Sequence, residues 1–149
     1  MKKVLVICLL AGLMAGCRTQ LSPQTQMLQD AALTGDLAEV RRNLSDGADI
    51  NAKDNIGCSP IMRAVSAGHI EVVKLLLSRG ANVNTYSESG ITPLITAVVA
   101  GNMEMVSVLI EKGANINARA GDGSSPLRIA VSRKQDEVAG LLISLGAQL

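Results

Sequence analysis

SDGADIN (residues 45–51), SRGANVN (78–84) and EKGANIN (111–117) are three versions of one heptapeptide, and SLGAQL (144–149) is a shortened fourth. Their glycines fall at Gly47, Gly80, Gly113 and Gly146, at a constant interval of 33 residues. A second landmark keeps the same period. CSPIMRAV, ITPLITAV and SSPLRIAV place Pro60, Pro93 and Pro126 at equivalent positions. Self-similarity at such a period marks a stack of identical supersecondary units, none of which can bury its apolar side alone.

The local chemistry tells what each unit is. Ser59, Thr92 and Ser125 stand just before the prolines. A hydroxyl N-cap followed by Pro at the first helical position starts a helix, because Pro lacks only an N–H that would go unbonded there. Gly68 and Gly101 predict its end in two copies. A second helix then carries Val72, Val73, Leu75, Leu76 and Leu77, matched one period later by Met105, Val106, Val108, Leu109 and Ile110. It stops at the repeating glycine, which takes the left-handed conformation at no steric cost. Asn51, Asn84 and Asn117 follow in a turn, where Asn bonds nearby backbone.

This pattern resembles the ankyrin repeat. The family's G-x-T-P-L-H-x-A is similar to GCSPIMRA, GITPLITA and GSSPLRIA, and the Gly-Ala closing the second helix occurs four times. The resemblance covers about residues 24–149 and implies an all-α solenoid of four units, near 24–53, 54–86, 87–119 and 120–149. Each unit would hold two antiparallel helices and a protruding turn. The first lacks the Ser/Thr-Pro element but keeps Gly35, Asp36, Val40, Gly47 and Asn51 in register. The family's histidine, which ties turn to helix, is replaced by Met62, Ile95 and Arg128, predicting less stable units. In the last unit Lys134, Gln135 and Asp136 read as a polar cap on the end of the stack.

Composition narrows the functions. The 149 residues include no Trp, no Phe and one Tyr, so the core must be aliphatic. A net charge of +1 gives no basic field for nucleic acid. His69, alone of its kind, follows Gly68 where ankyrin repeats use His structurally. It has no companions at metal-ligand spacing. A Cys58–His69 nucleophile pair would lack an orienting third group, and GDGSS (121–125) lacks the Lys and strand of a phosphate loop. No catalytic residue, metal or cofactor is expected. Cys58, in an exposed turn, supports one alternative: an oxidative-stress accessory protein of the envelope that uses this thiol.

The N-terminus reads separately. Lys2 and Lys3 precede an apolar or small run, Val4 to Gly16, too short for a bilayer span of roughly 20 residues but suited to a secretory signal peptide. Leu13-Met14-Ala15-Gly16-Cys17 resembles a bacterial lipobox, with Met14 in place of the usual Leu. That implies a signal peptide over 1–16, cleavage after Gly16, a diacylglycerol thioether on Cys17 and an acylated amino group. Residues 17–23 would then be a lipidated start and linker, within a polar stretch reaching from Arg18 to Gln26. Arg18, where inner-membrane lipoproteins of enteric-type bacteria commonly have Asp, implies the outer membrane, facing the periplasm. With Cys8 removed and Cys17 lipidated, Cys58 is left without a disulfide partner. Losing Lys2 and Lys3 from 14 basic residues leaves 12 against 13 acidic, a net charge of −1.

The resemblance makes recognition the expected function, through turn tips and the concave face of the first helices. Carried over by register, the tips are Lys53, Asn55, Ile56 and Cys58, then Tyr86, Glu88, Ser89 and Ile91, then Arg119, Asp122 and Ser124. The helix face offers Ser66 and Ala67, Val99 and Ala100, Ser132 and Arg133. Tyr86, Ile91 and Val99 form the expected apolar anchor, with Lys53, Arg119 and Arg133 as a polar rim, the usual plan of a protein interface. The expected partner is a membrane-associated or periplasmic protein, and the expected state is a monomer.

Overall fold

The computed structural model describes residues 21–149, and it is entirely helical there. The expected signal peptide and the expected lipidation of Cys17 lie outside the described residues. Four helix pairs follow one another: α1 (Pro23–Thr34) with α2 (Leu37–Ser45), α3 (Pro60–Ala67) with α4 (Ile70–Ser78), α5 (Pro93–Ala100) with α6 (Met103–Glu111), and α7 (Pro126–Ser132) with α8 (Asp136–Ser144). First helices pack on first helices along the stack, each backed by its own second helix. This is the helix-turn-helix solenoid that the period of 33 predicts.

The caps work as the sequence implies. Thr92 Oγ1 accepts the N–H of Ile95 at 3.3 Å, and Ser125 Oγ accepts that of Arg128 at 3.2 Å. Ser59 is the exception: it makes no cap bond, and its buried hydroxyl has no partner. Each second helix closes through the Gly-Ala pair. The left-handed glycine turns the chain so that Ala48, Ala81, Ala114 and Ala147 donate back to the carbonyls of Asn43, Leu76, Leu109 and Leu142 at 2.9–3.0 Å. The first three alanines are buried, so only a small side chain fits.

The core is a set of rows with one residue per unit. Leu28, Ile61, Leu94 and Leu127 form one, and Ala31, Ala64, Ala97 and Ala130 another. Val40, Val73, Val106 and Ala139 continue it in the second helices. The row Leu76, Leu109, Leu142 begins with a polar member, Asn43, buried with its amide donating to Glu39 O at 2.8 Å. Each fully buried aliphatic contributes roughly 1.5–3 kcal/mol, so rows of Leu, Ile and Val suffice without aromatics.

A ladder of asparagines joins the turns. Asn51 Oδ1 accepts Asn82 N–H at 2.8 Å, Asn84 Oδ1 accepts Asn115 N–H at 2.7 Å, and Asn117 Oδ1 accepts Gln148 N–H at 2.8 Å. Among the described residues no unit precedes the first, yet its equivalent amide, Asp49 N–H, is also bonded, to Thr25 Oγ1 at 3.1 Å. Thr25 stands in for the missing asparagine.

Three expectations are corrected. The first unit does have a Ser-Pro start: Ser22 Oγ accepts Thr25 N–H at 3.2 Å and Pro23 opens α1. It lies four residues upstream of the in-phase position, Met27, so α1 has 12 residues where α3 and α5 have 8. The helical array therefore begins at Pro23, one residue before the expected domain start at 24. The expected loss of the tie between turn and helix does not hold in the first unit, where Gln29 occupies the position of Met62, Ile95 and Arg128. Its buried Nε2 donates to Ala52 O at 3.0 Å and to Cys58 O at 3.1 Å, tying helix to turn.

The third correction concerns the end of the stack. Gln135 is the N-cap position of α8, equivalent to Asp36, His69 and Asn102, and so is polar in every unit. The end face itself carries Val131, Ile143 and Leu149, which are 52%, 59% and 71% exposed. Arg128, in register with the buried Met62 and Ile95, and Asp136, in register with the core-packed Leu37, Ile70 and Met103, are polar changes of the last unit. Lys134 holds φ +56° where the other units have Gly35, Gly68 and Gly101. A left-handed non-glycine costs roughly 1–2 kcal/mol. Lys134→Gly is expected to raise the melting temperature by a few degrees; a lowered midpoint in thermal circular dichroism would contradict this.

Candidate interaction surface

Each turn tip is a tight backbone loop. Asp54, Ser87 and Ala120 donate N–H to Cys58, Ile91 and Ser124 carbonyls at 2.9–3.0 Å. The tips also touch one another: Gly121 N–H donates to Ser89 O at 2.8 Å, and Glu88 N–H reaches Ile56 O at 3.5 Å. Glycine is needed at this approach. A Cβ on Gly90 would stand 2.8 Å from Gly121 N, and one on Gly57 would stand 2.7 Å from Glu88 N. The backbones of successive tips are therefore held against one another.

Lys53, Tyr86 and Arg119 occupy one register position in successive units. Lys53 Nζ lies 4.0 Å from the centroid of the Tyr86 ring, a cation–π contact. Tyr86 remains 58% exposed, with its ring held by the lysine. Arg119 is committed elsewhere, donating to Gly123 O and Leu149 O at 3.1 Å each. Ile56, 54% exposed, and Glu88 meet through backbone, while Asn55 is exposed beside them. Ile91 flanks the same turn as Tyr86, across from Ser87.

Val99 is exposed in the last turn of α5, about 9 Å along the helix axis from Pro93. Arg133 reaches back to it, with Nη1 donating to Val99 O at 3.3 Å. Of the three residues expected as an anchor, Tyr86 and Ile91 flank one tip and Val99 lies in the last turn of α5, with Lys53 over the Tyr86 ring and Arg133 bonded to Val99 O. Asp122, fully exposed, accepts Ser124 N–H at 2.9 Å, and this bond holds its carboxyl below the usual range. Its first task is to shape the turn.

Two features of this surface escape the sequence reading. Leu33, exposed, shares the register of Val99, and counting back 66 residues would have found it. Arg63 pairs with Asp54 across the base of the first full tip. Burial pushes the Asp54 carboxyl up, but Arg63 and the N–H groups of Cys58 and Ile56 outweigh it and leave it below the ordinary value. Nothing in the repeat register signals this pair, since the equivalents of Arg63 are Thr96 and Ile129.

The chemical candidates resolve into structure. His69 Nε2 donates to Leu33 O at 3.1 Å, and its ring covers Gly35, where a Cβ would lie 2.6 Å from Nδ1. It ties one unit to the next. Cys58 is half-buried, and burial and the Asp54 carboxylate push its thiol up, with Arg63 opposing. Such surroundings disfavour the reactive thiolate. Among the described residues, no group of three or more His, Cys, Asp or Glu side chains is placed to hold a metal.

The family model of ankyrin repeats in three copies matches residues 84–149, and that of ankyrin repeats in many copies matches 28–77. The chain belongs to the ankyrin-repeat family. No curated protein matches it. As ankyrin repeats, these units form a protein-interaction module and imply a protein partner.

Proposed function

We propose that this ankyrin-repeat protein is a non-catalytic module, lipid-anchored in a bacterial envelope, that grips a protein partner through the strip from Tyr86 and Ile91 to Val99. The observation that carries the reading is Tyr86, exposed yet held in place by Lys53 on a row of mutually bonded tips. A fixed aromatic loses little freedom on binding, which is why such residues become interface hot spots. Ile56, Asn55, Glu88, Arg119, Asp122 and Arg133 supply the surrounding polar and aliphatic contacts. The alternative built on Cys58 lacks the depressed thiol pKa that it requires.

Anchoring rests on the apolar run ending at Cys17, with a covalent lipid there as the only added group and Arg18 favouring the outer membrane on its periplasmic side. Since α1 opens at Pro23, the five residues 18–22 would hold the first unit within about 18 Å of that lipid. The partner is accordingly a membrane-associated protein or one brought to that surface.

The test is capture from solubilised membranes by the full chain and by a Tyr86→Ser/Ile91→Ser/Val99→Ser variant. The variant is expected to lose about a hundredfold or more in affinity, on the order of 1–2 kcal/mol for each anchor. Equal capture by both chains would reject the strip. Mass spectrometry of the mature N-terminus tests the anchor: an unmodified Cys17 would reject it.

A further inference from the structure

Among the described residues, Lys53 Nζ forms no hydrogen bond or ion pair; what it meets is the Tyr86 ring, 4.0 Å from the centroid. A surface cation–π contact gains less than freezing a free lysine costs. The contact therefore persists only where the chain carrying the lysine is already fixed. Both neighbours of Lys53 are.

On one side, Ala52 O accepts from Gln29 Nε2 at 3.0 Å, and the same nitrogen donates to Cys58 O at 3.1 Å. One buried amide thus grips both feet of the first tip. On the other side, Asp54 Oδ1 accepts Ile56 N–H at 3.0 Å and Cys58 N–H at 2.9 Å, while Oδ2 pairs with Arg63. Both oxygens are engaged, and the Asp54 side chain is only 10% exposed, so this carboxylate does not draw the adjacent ammonium away from the ring. The brace is peculiar to the first tip. In register, Gln29 is followed by Met62 and Ile95, Asp54 by Ser87 and Ala120, and Arg63 by Thr96 and Ile129. Across the second tip the side-chain bond is the longer one from Ile91 N–H to Ser87 Oγ, at 3.3 Å. The strongest bracing therefore stands under the tip whose side chain holds an aromatic ring.

We propose that Gln29, Asp54 and Arg63 are positioning residues: they fix the first tip so that Lys53 stays over Tyr86, and so they set the affinity of a surface that the buried Gln29 cannot touch. The inference rests on Tyr86 being an anchor for the partner. A ring held before binding has less freedom to lose when the partner arrives.

Proton NMR of the full chain in detergent micelles reads the contact without a partner. Tyr86 is the one benzenoid ring in the sequence, and the His69 imidazole lies against Gly35. The Tyr86 ring current is therefore expected to place the terminal methylene of Lys53 upfield of those of Lys74, Lys112 and Lys134. Gln29→Met and Arg63→Thr introduce the residues that the next unit carries at Met62 and Thr96. Each variant is expected to return Lys53 toward the other lysines and to weaken partner capture about two- to tenfold. Leu142→Ala loosens the last unit instead, and is expected to leave the Lys53 shift unchanged, which separates positioning from general loss of stability. A native Lys53 methylene like the other three, an upfield shift that survives in either tip variant, or one lost equally in Leu142→Ala would each overturn the proposal. So would unchanged capture by both tip variants where the Tyr86→Ser/Ile91→Ser/Val99→Ser chain fails to capture. If that triple variant captures as well as the native chain, the anchor is rejected, and the Lys53 shift still decides whether the brace holds the ring.

Discussion

Leu76→Ala is expected to cost about 2–5 kcal/mol and to lower the melting temperature of the whole stack by roughly 10 °C or more. Leu76 is fully buried in α4. Its unit has a neighbour on each side, so the cavity weakens the middle of a one-dimensional array rather than an end. In such arrays each unit's stability is its own plus that of its interfaces, and a weakened middle unit uncouples both flanks. Leu142→Ala makes the same chemical change at an equally buried site of the same row, in α8. That unit has one neighbour, so its loss is expected to remain local: a broader transition, with the first three units melting near the native temperature. Urea titration read by circular dichroism distinguishes the two. Identical sharp losses for both variants would show that the array melts as one block, and an unchanged Leu76→Ala would remove the stacking account of stability.

Gly90→Ala is expected to be the most damaging change of a single methyl group at the surface. The position holds φ +73°, and an added Cβ would lie 2.8 Å from Gly121 N and 3.2 Å from Ala120 C, both backbone atoms. Neither can swing aside. The third tip must therefore retreat, breaking the bond from Gly121 N–H to Ser89 O. A left-handed alanine plus a lost hydrogen bond amounts to roughly 2–3 kcal/mol. Gly123 supplies the control. It has a similar φ of +79°, but nothing lies within 4 Å of its added Cβ. Gly123→Ala should thus cost only the conformational part, about 1 kcal/mol. The contrast reaches function as well. Gly90→Ala should weaken partner capture because it displaces the tips that carry Tyr86 and Ile91, while Gly123→Ala should leave capture nearly intact. Equal denaturation midpoints for the two variants would mean that the tips are not in contact.

The helices, their order and their caps were legible because the forces that set them are local. An N-cap hydroxyl reaches three residues ahead, a left-handed glycine acts on the turn that contains it, and a period of 33 repeats the closing glycine in every unit and the hydroxyl-Pro pair in the last three. The aliphatic rows follow from the same count. The candidate surface was legible only in part: register places Lys53, Tyr86, Ile91 and Val99 on the exposed side, but not the contact of Lys53 with the Tyr86 ring. What tertiary structure alone decided are the contacts made where the repeat is broken. Thr25 bonds an amide 24 residues away, and Gln29 holds carbonyls 23 and 29 residues away. Asp54 finds Arg63 across a turn that no other unit copies. The exposed end face has the same cause seen from the other side. Val131 is the same residue type as Val98 and stands in the same register, but only Val98 has a neighbour to cover it. Burial belongs to a pair of surfaces, and one stretch of sequence describes only one of them.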